Sequence, residues 1–346
     1  MTIVEAPRAV TGGVDTHLDV HVAAALDGIG GLLGVEEFST DDAGARRLLS
    51  WLRSFGPVAR VGVEGTGSYG VGLSRSLRAA GVDVVEVDRP NRLVRRRQGK
   101  SDPVDAVEAG RAALSGRATG AGKTRDGNVE AIRALMIVKR SARQTKVKSL
   151  NQIRHLGFCA PDQLRQRFEG LSRALIAGEA AGLRPRVDGD PVLFATKTAM
   201  RTLGRRVLVL DQEKADLDEL LDELVAKTAP ELLALYGVGV DTAAILLVAA
   251  GDNPERLHSE AAWAHLCGVS PLEASSGKVT RHRLNRGGDR QANRALWHIV
   301  ITRLASDPRT QAYMERRVKD GRSKSEAIRM LKRYVAREVY RYLPRA

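Results

Sequence analysis

Cysteine is nearly absent from this chain: there are 2 in 346 residues, Cys159 and Cys267, far apart and in no Cys-x-x-Cys frame. That excludes a cysteine-held zinc and a disulfide framework, and implies a reducing compartment. Aromatic residues make up only 4%, which argues against recognition built mainly on stacked bases. No apolar run approaches the ~18 residues that a membrane helix needs. The opening "MTIVEAPRAVTGGVD" also lacks the apolar stretch of a signal peptide. These absences point to a soluble, cytoplasmic protein with no membrane among its partners.

What is present is enough to fold and enough to bind a polyanion. Hydrophobic residues are 43% of the chain, so a sizeable core is available, and the length suits two or three domains. The net charge of +14 is unevenly placed. Residues 1–110 hold 13 Lys and Arg against 15 Asp and Glu, whereas residues 258–346 hold 19 against 8. A slightly acidic front and a strongly basic back imply that nucleic acid is held mainly by the later segments, in the nucleoid region of the cytoplasm.

Residues 8–118 read as one α/β domain. "AVTGGVDTHLDVHVAAALDG" gives two strands or one bent strand, and "GGLLGVEEFS", "ARVGVEGTG" and "VDVVEVD" give three more. Between them, "TDDAGARRLLSWLRSFG" and "SYGVGLSRSLRAAG" have helical stripes and end on Gly56 and Gly81. Hairpin strands followed by βαβ units imply a mixed sheet flanked by helices. A polar, Gly-rich connection covers 111–128.

Residues 129–228 form a long-helix, coiled-coil-like region. The first helix, over 129–157, has an apolar stripe of Ile132, Leu135, Val138, Ala142, Leu150 and Ile153. Its basic stripe includes Lys139, Arg140, Arg143 and Lys146, candidates for nucleic-acid contact. The second, over roughly 196–227, has Leu203, Leu210, Leu217, Leu221 and Leu224 at near-heptad spacing. Such narrow stripes require partners, either each other or a second subunit. Residues 229–346 form a mostly helical third domain. Its "ELLALYGVGVDTAAILLVAAGD" has the pattern of a helix-hairpin-helix, whose free N–H groups could meet a phosphate, or of a plain turn. Trp263 and Trp297 are expected in its core, and "DGRSKSEA" supplies a turn and cap between basic helices.

Four carboxylates carry the chemistry. Asp15 lies inside the first apolar strand, where an acid is costly unless it binds something. Glu64 ends a strand, where ligands of open sheets gather. In "GKSDPVDAVEAG", Asp102 before Pro103 is a good N-cap and Asp105 an ordinary first-turn acid, so that stretch alone does not separate a helix start from half a metal site. Taken together, the four suggest a divalent-cation site of oxygen ligands, favouring Mg2+ or Mn2+. The seven histidines form no evident metal-spaced pair and are given no role.

"GVDTH", "VGVEGTGSYG" and "GKSDPVDA", in this order, resemble the N-terminal domain of the DEDD transposases, insertion-sequence recombinases with an RNase H-like (RuvC-like) fold. The resemblance places that family's four acids on Asp15, Glu64, Asp102 and Asp105. "LYGVGVDTAAILLVAAGD", "WAHLCGVSPLEASSGK" and "NRGGDRQANRAL" are similar to the family's second domain, in which a serine is the nucleophile. The matching position is Ser276, with Ser275 as the close alternative. The resemblance implies a recombinase that cleaves and rejoins donor and target DNA through a 5′-phosphoserine. It also implies guidance by a structured bridge RNA. Because the acids and the serine lie in different domains, the working site must be composite, either within one chain or between the subunits of a homodimer or homotetramer. Beside that serine, Lys278, Arg281, Arg283, Arg286 and Arg290 could neutralise the phosphate in the transition state, and Arg294 is a further candidate for nucleic-acid contact. Competing readings are a RuvC-like junction nuclease using water, and a basic helix-hairpin-helix scaffold without chemistry. An actin-like kinase fits less well, because "GVDTHLDV" lacks a glycine phosphate loop.

Overall fold

The computed structural model describes residues 9–87, 101–118, 120–187, 190–253, 256–276 and 282–344. They fall into two compact units. The first runs up to Gly127 and includes Gly251–Ser259; the second is Asn128–Ala250 with Glu260–Pro344.

The first unit is built on a sheet of β1 (Val10–Thr16), β2 (Val20–Leu26), β3 (Leu32–Ser39), β4 (Val58–Glu64) and β5 (Asp83–Val87), in the order β3-β2-β1-β4-β5. β1, β2 and β3 pair antiparallel; β4 and β5 add on in parallel. "AVTGGVDTHLDVHVAAALDG" is thus two strands, and the mixed sheet expected from the sequence forms, which fits an RNase H-like domain.

Side chains alternate across a strand, so β1 sends Val10 and Val14 to one face and Gly13 and Asp15 to the other. The Val14 face carries α1 (Asp42–Ser54) and α2 (Val71–Ala79), through Leu48, Leu52, Val61, Val63, Leu73 and Leu77. Asp41 caps α1, accepting from the Gly44 amide at 2.7 Å. Beyond α2, Gly81 takes φ +77°, which glycine adopts without strain.

The other face carries α3 (Asp102–Leu114). Gly13 of β1 and Gly62 of β4 are direct cross-strand partners. A Cβ on Gly13 would lie 2.1 Å from the Ala106 carbonyl oxygen, and one on Gly62 2.4 Å from that of Ala109. Two bare glycines therefore form the seat on which α3 rests, and α3 in turn presents its small residues Ala106, Ala109, Gly110 and Ala113. The N-cap is Ser101, one residue before the expected Asp102; Asp102 opens the helix proper and Pro103 follows it. The connection predicted from 111 begins later, since α3 runs to Leu114. The Gly120 carbonyl then accepts from the Glu86 amide at 2.7 Å. Asn253 is buried, donating to the Gly122 carbonyl at 2.9 Å and accepting from the Thr124 amide at 3.4 Å.

The second unit is helical apart from a short hairpin. α4 (Asn128–Cys159) and α7 (Pro191–Thr228) lie against each other, so the two stripes partner within the chain. Two short helices, α5 (Asp162–Phe168) and α6 (Arg173–Ala181), which the sequence reading did not name, lie between them in the chain. They share a core with the long pair, around Ile153, Leu164, Ile176, Ala180, Met200 and Val207. The α4 stripe differs from expectation at one position. Val138 is 45% exposed, and Met136 and Lys139 are buried instead.

α8 (Pro230–Leu233) and α9 (Val240–Ala250) flank a turn in which Gly237 takes φ +80°. Next come α10 (Glu260–Leu266), the hairpin β6 (Leu272–Glu273) with β7 (His282–Arg283), α11 (Arg290–Ser306), α12 (Pro308–Lys319) and α13 (Lys324–Arg341). Ser323 supplies the cap expected before α13, and with Glu326 it forms a capping box. Trp263 is fully buried, but Trp297 is 41% exposed with its ring edge-on to His298, contrary to the expectation of a core residue. Among the described residues, no helix is long and apolar enough to cross a membrane.

Candidate active site

Asp15 faces α3 because it lies two residues after Gly13, and Glu64 shares that face two residues after Gly62. The first turn of α3 ends over the same edge and brings Asp102 and Asp105. Asp15 and Asp105 are buried, while Glu64 and Asp102 are partly accessible. The Thr16 hydroxyl donates to the Glu64 carbonyl at 2.7 Å, closing the ends of β1 and β4 together.

The tightest group of potential ligands holds a residue that the sequence reading passed over. The imidazole Nε2 of His17 lies 3.1 Å from Asp15 Oδ2 and 3.5 Å from Asp102 Oδ2. One ligand atom from each of the three residues falls within 4.8 Å of the others. The signal in the sequence was the alternation itself, since in "VDTH" residues 15 and 17 share a face. Glu64 and Asp105 stand outside this innermost set, but Asp105 is close enough to act on Asp15.

The electrostatics of Asp15 reflect that crowding. Burial pushes its carboxyl above the ordinary value of 3.8; His17 opposes this, and Asp105 and Asp102 raise it further. A buried carboxylate beside two others is the environment that a cation relieves. The donor set, carboxylate oxygens with one imidazole, is chemically suited to a divalent ion. Thr66, in the "GTG" turn after Glu64, is buried and donates to Glu86, which anchors that turn to β5. His21 also lies nearby on β2, buried and with its pKa lowered by burial and by the charge of His17.

The serine pair belongs to the second unit. Ser275 and Ser276 follow β6 and are exposed. Lys278 and Arg281 lie outside the described residues; Arg283, Arg286 and Arg290 are exposed on the return arm and the start of α11. The base of this hairpin is rigidly built. Gly288 (φ +85°) comes so close to α10 that a Cβ would meet the Leu266 carbonyl oxygen at 2.5 Å. Asn285 donates to the Ser270 hydroxyl at 3.0 Å, and Asn293 to the Cys267 carbonyl at 2.8 Å. The buried ammonium of Lys332, its pKa lowered by burial, donates to Asn293 Oδ1 at 2.8 Å. Neither Asn293 nor Lys332 had stood out in the sequence. Cys267 is buried, and burial pushes its thiol well above the ordinary thiol range.

The predicted basic stripe divides by environment. Arg140 and Arg143 of α4, with Arg294 and His298 of α11 and the Gly237–Gly239 turn, line a cleft of about 810 Å3. No carboxylate pairs with these three arginines among the described residues. Lys139 also borders the cleft, but it is buried and held by both Asp218 and Asp241. Burial pulls its pKa down, and the two carboxylates more than restore it. Its charge is thus already paired within the unit, and a nucleic-acid phosphate would have to compete with Asp218 and Asp241 for it. Lys146 pairs with Asp211 in the same manner, though it is more accessible.

Comparison with known proteins agrees with this architecture. A family model described as "Transposase", of the DEDD type in IS110 elements, matches residues 12–156. A second, described as "Transposase IS116/IS110/IS902 family", matches residues 229–315. The 43.6 kDa protein of insertion element IS110 from Streptomyces coelicolor is 34% identical over 144 residues, 41% of this chain and 33% of that protein. The 42 kDa protein of insertion element IS900 from Mycobacterium paratuberculosis is 27% identical over 139 residues, 39% of this chain and 35% of its own length. The chain therefore aligns with about a third of the length of each relative. Both matched regions, and the carboxylates at the sheet edge, place it in the class of DEDD transposases. Within that class, the chain belongs to the IS110 family.

Proposed function

We propose that this chain is a DNA transposase that cleaves and rejoins strands through Ser276, with a divalent cation, Mg2+ or Mn2+, held by Asp15, Glu64, Asp102 and Asp105. The observation that carries the reading is the convergence of Asp15 and Asp102, with Asp105 beside them, at the strand ends of the DEDD-matched unit. The cation would supply the positive charge that a phosphodiester needs as its oxygens become more negative.

The chain's own groups do the rest. The Ser276 hydroxyl oxygen attacks phosphorus, and the bond from phosphorus to the 3′ oxygen breaks. The hydroxyl proton ends on the departing 3′ oxygen, leaving a 5′-phosphoserine and a free 3′-hydroxyl. A 3′-hydroxyl of the other DNA then attacks that phosphorus, rejoins the strands and restores the serine. Arg283, Arg286 and Arg290, with Lys278 and Arg281, neutralise the phosphate in transit. Arg140, Arg143 and Arg294 hold backbone in their cleft, and a structured guide RNA reads sequence by pairing. A homodimer or homotetramer brings the serine and the acids together.

Covalent trapping tests this directly. The full chain, incubated with donor DNA, guide RNA and Mg2+, should form a detergent-stable adduct whose mass maps to Ser276. Both Ser276→Ala and Asp102→Ala should abolish it. Undiminished cleavage by Ser276→Ala would make water the nucleophile and remove the recombinase reading. An adduct on Ser275 would move the nucleophile by one residue. Full-rate joining after RNase treatment would remove the RNA.

A further inference from the structure

We infer that His17 is itself a ligand of the cation, and that its imidazole tilts the site toward Mn2+ over Mg2+. The inference rests on the metal reading above and adds to it the identity of the preferred ion.

The geometry singles out His17 among the histidines of the first unit. It is the first residue beyond β1 and, by alternation, shares the face of Asp15. Its Nε2 points at two carboxylates from different elements, Asp15 of β1 and Asp102 of α3, at 3.1 and 3.5 Å. The three ligand atoms lie within 4.8 Å of one another, close enough for a single ion to be held by all three. The side chain is 42% exposed, so it can swing onto an entering ion without disturbing the core.

Chemistry then separates the candidate ions. Mg2+ takes oxygen ligands in near-ideal octahedral geometry and keeps several waters. Imidazole nitrogen is a poorer partner for it, and affinity for mixed nitrogen–oxygen sites rises along the first transition row, beginning with Mn2+. A site of four carboxylates alone would accept either ion. The same site with an imidazole in its inner shell favours the transition ion.

The test uses the full chain and direct binding. Free Mn2+ is followed by its paramagnetic resonance signal, and Mg2+ affinity is obtained by competition. Three variants are compared: His17→Gln, which keeps an N–H donor for Asp15 but no imidazole, His17→Ala, and Asp15→Asn. His17→Gln and His17→Ala should each weaken Mn2+ binding by about ten-fold or more, while Mg2+ binding changes by less than about two-fold. A parallel loss for both ions, or no loss for either, would reduce His17 to a hydrogen-bond partner of Asp15 and overturn the inference. Asp15→Asn separates this failure from a deeper one. If that variant still binds Mn2+ like the parent, the carboxylate site itself is wrong; if it does not, only the role of His17 is at stake.

Discussion

Asp15 keeps its carboxylate in a place that water barely reaches, and the fold bears a penalty for it. An acid whose pKa is higher in the folded chain than in the unfolded one holds its proton more tightly when folded. Stability therefore falls as pH rises from the ordinary value of 3.8 through the folded value, and the ionised group is a burden at neutral pH. In metal-free protein, Asp15→Asn should raise the Tm at pH 7 by a few degrees, measured by calorimetry. The same variant should lose the Tm gain that the parent shows on adding Mn2+. Lys139 presents the opposite case. Its removal leaves Asp218 and Asp241 facing each other, so Lys139→Met should destabilise the chain by roughly 1–3 kcal/mol in urea titrations. Arg140→Ala and Arg143→Ala should leave stability alone, weaken nucleic-acid binding uniformly across sequences, and each reduce the salt slope by about one.

Among the elements, α3 does the positioning, and what positions α3 is the absence of side chains beneath it. Gly13→Ala would drive a methyl into the backbone of Ala106 and Gly110. It should cost about 3 kcal/mol of stability and weaken cation binding, because Asp102 and Asp105 would be lifted off Asp15. At Gly12, on the opposite face, the nearest obstacle is the end of the Leu52 side chain at 2.9 Å, so Gly12→Ala should be milder. Denaturation and Mn2+ titration of the two variants together check the claim. The five strands, α1, α2 and the cap of α13 were legible because each has a short-range signal: alternation, a cap, a closing glycine. The N-cap of α3 was misplaced by one residue because Ser101 and Asp102 are both good caps, and only the backbone decides. α5 and α6 were missed because helices this short depend on their neighbours' apolar surface more than on their own period. Val138 was misassigned because its helix turns a buried lysine toward two aspartates, an arrangement no hydropathy pattern announces.

For the molecule as a whole, the acidic front and basic back follow the division into two units, the carboxylate cluster in one and the arginine-lined cleft in the other. That much could be read from charge alone. The four acids could be named from their order along the chain, but not their geometry. Chain order could not show that His17 completes the innermost group, that Asn293 and Lys332 brace the serine hairpin, or that the two long helices pack on each other. One feature of the chain's path bears on how such proteins can be recombined by the experimenter. After leaving the first unit at Gly127, the backbone returns to it at Gly251–Ser259 and buries Asn253 against Gly122 and Thr124. A chimera grafting a foreign front half onto this back half at a single junction would import a surface that never evolved against that amide, so working exchanges should need two crossover points.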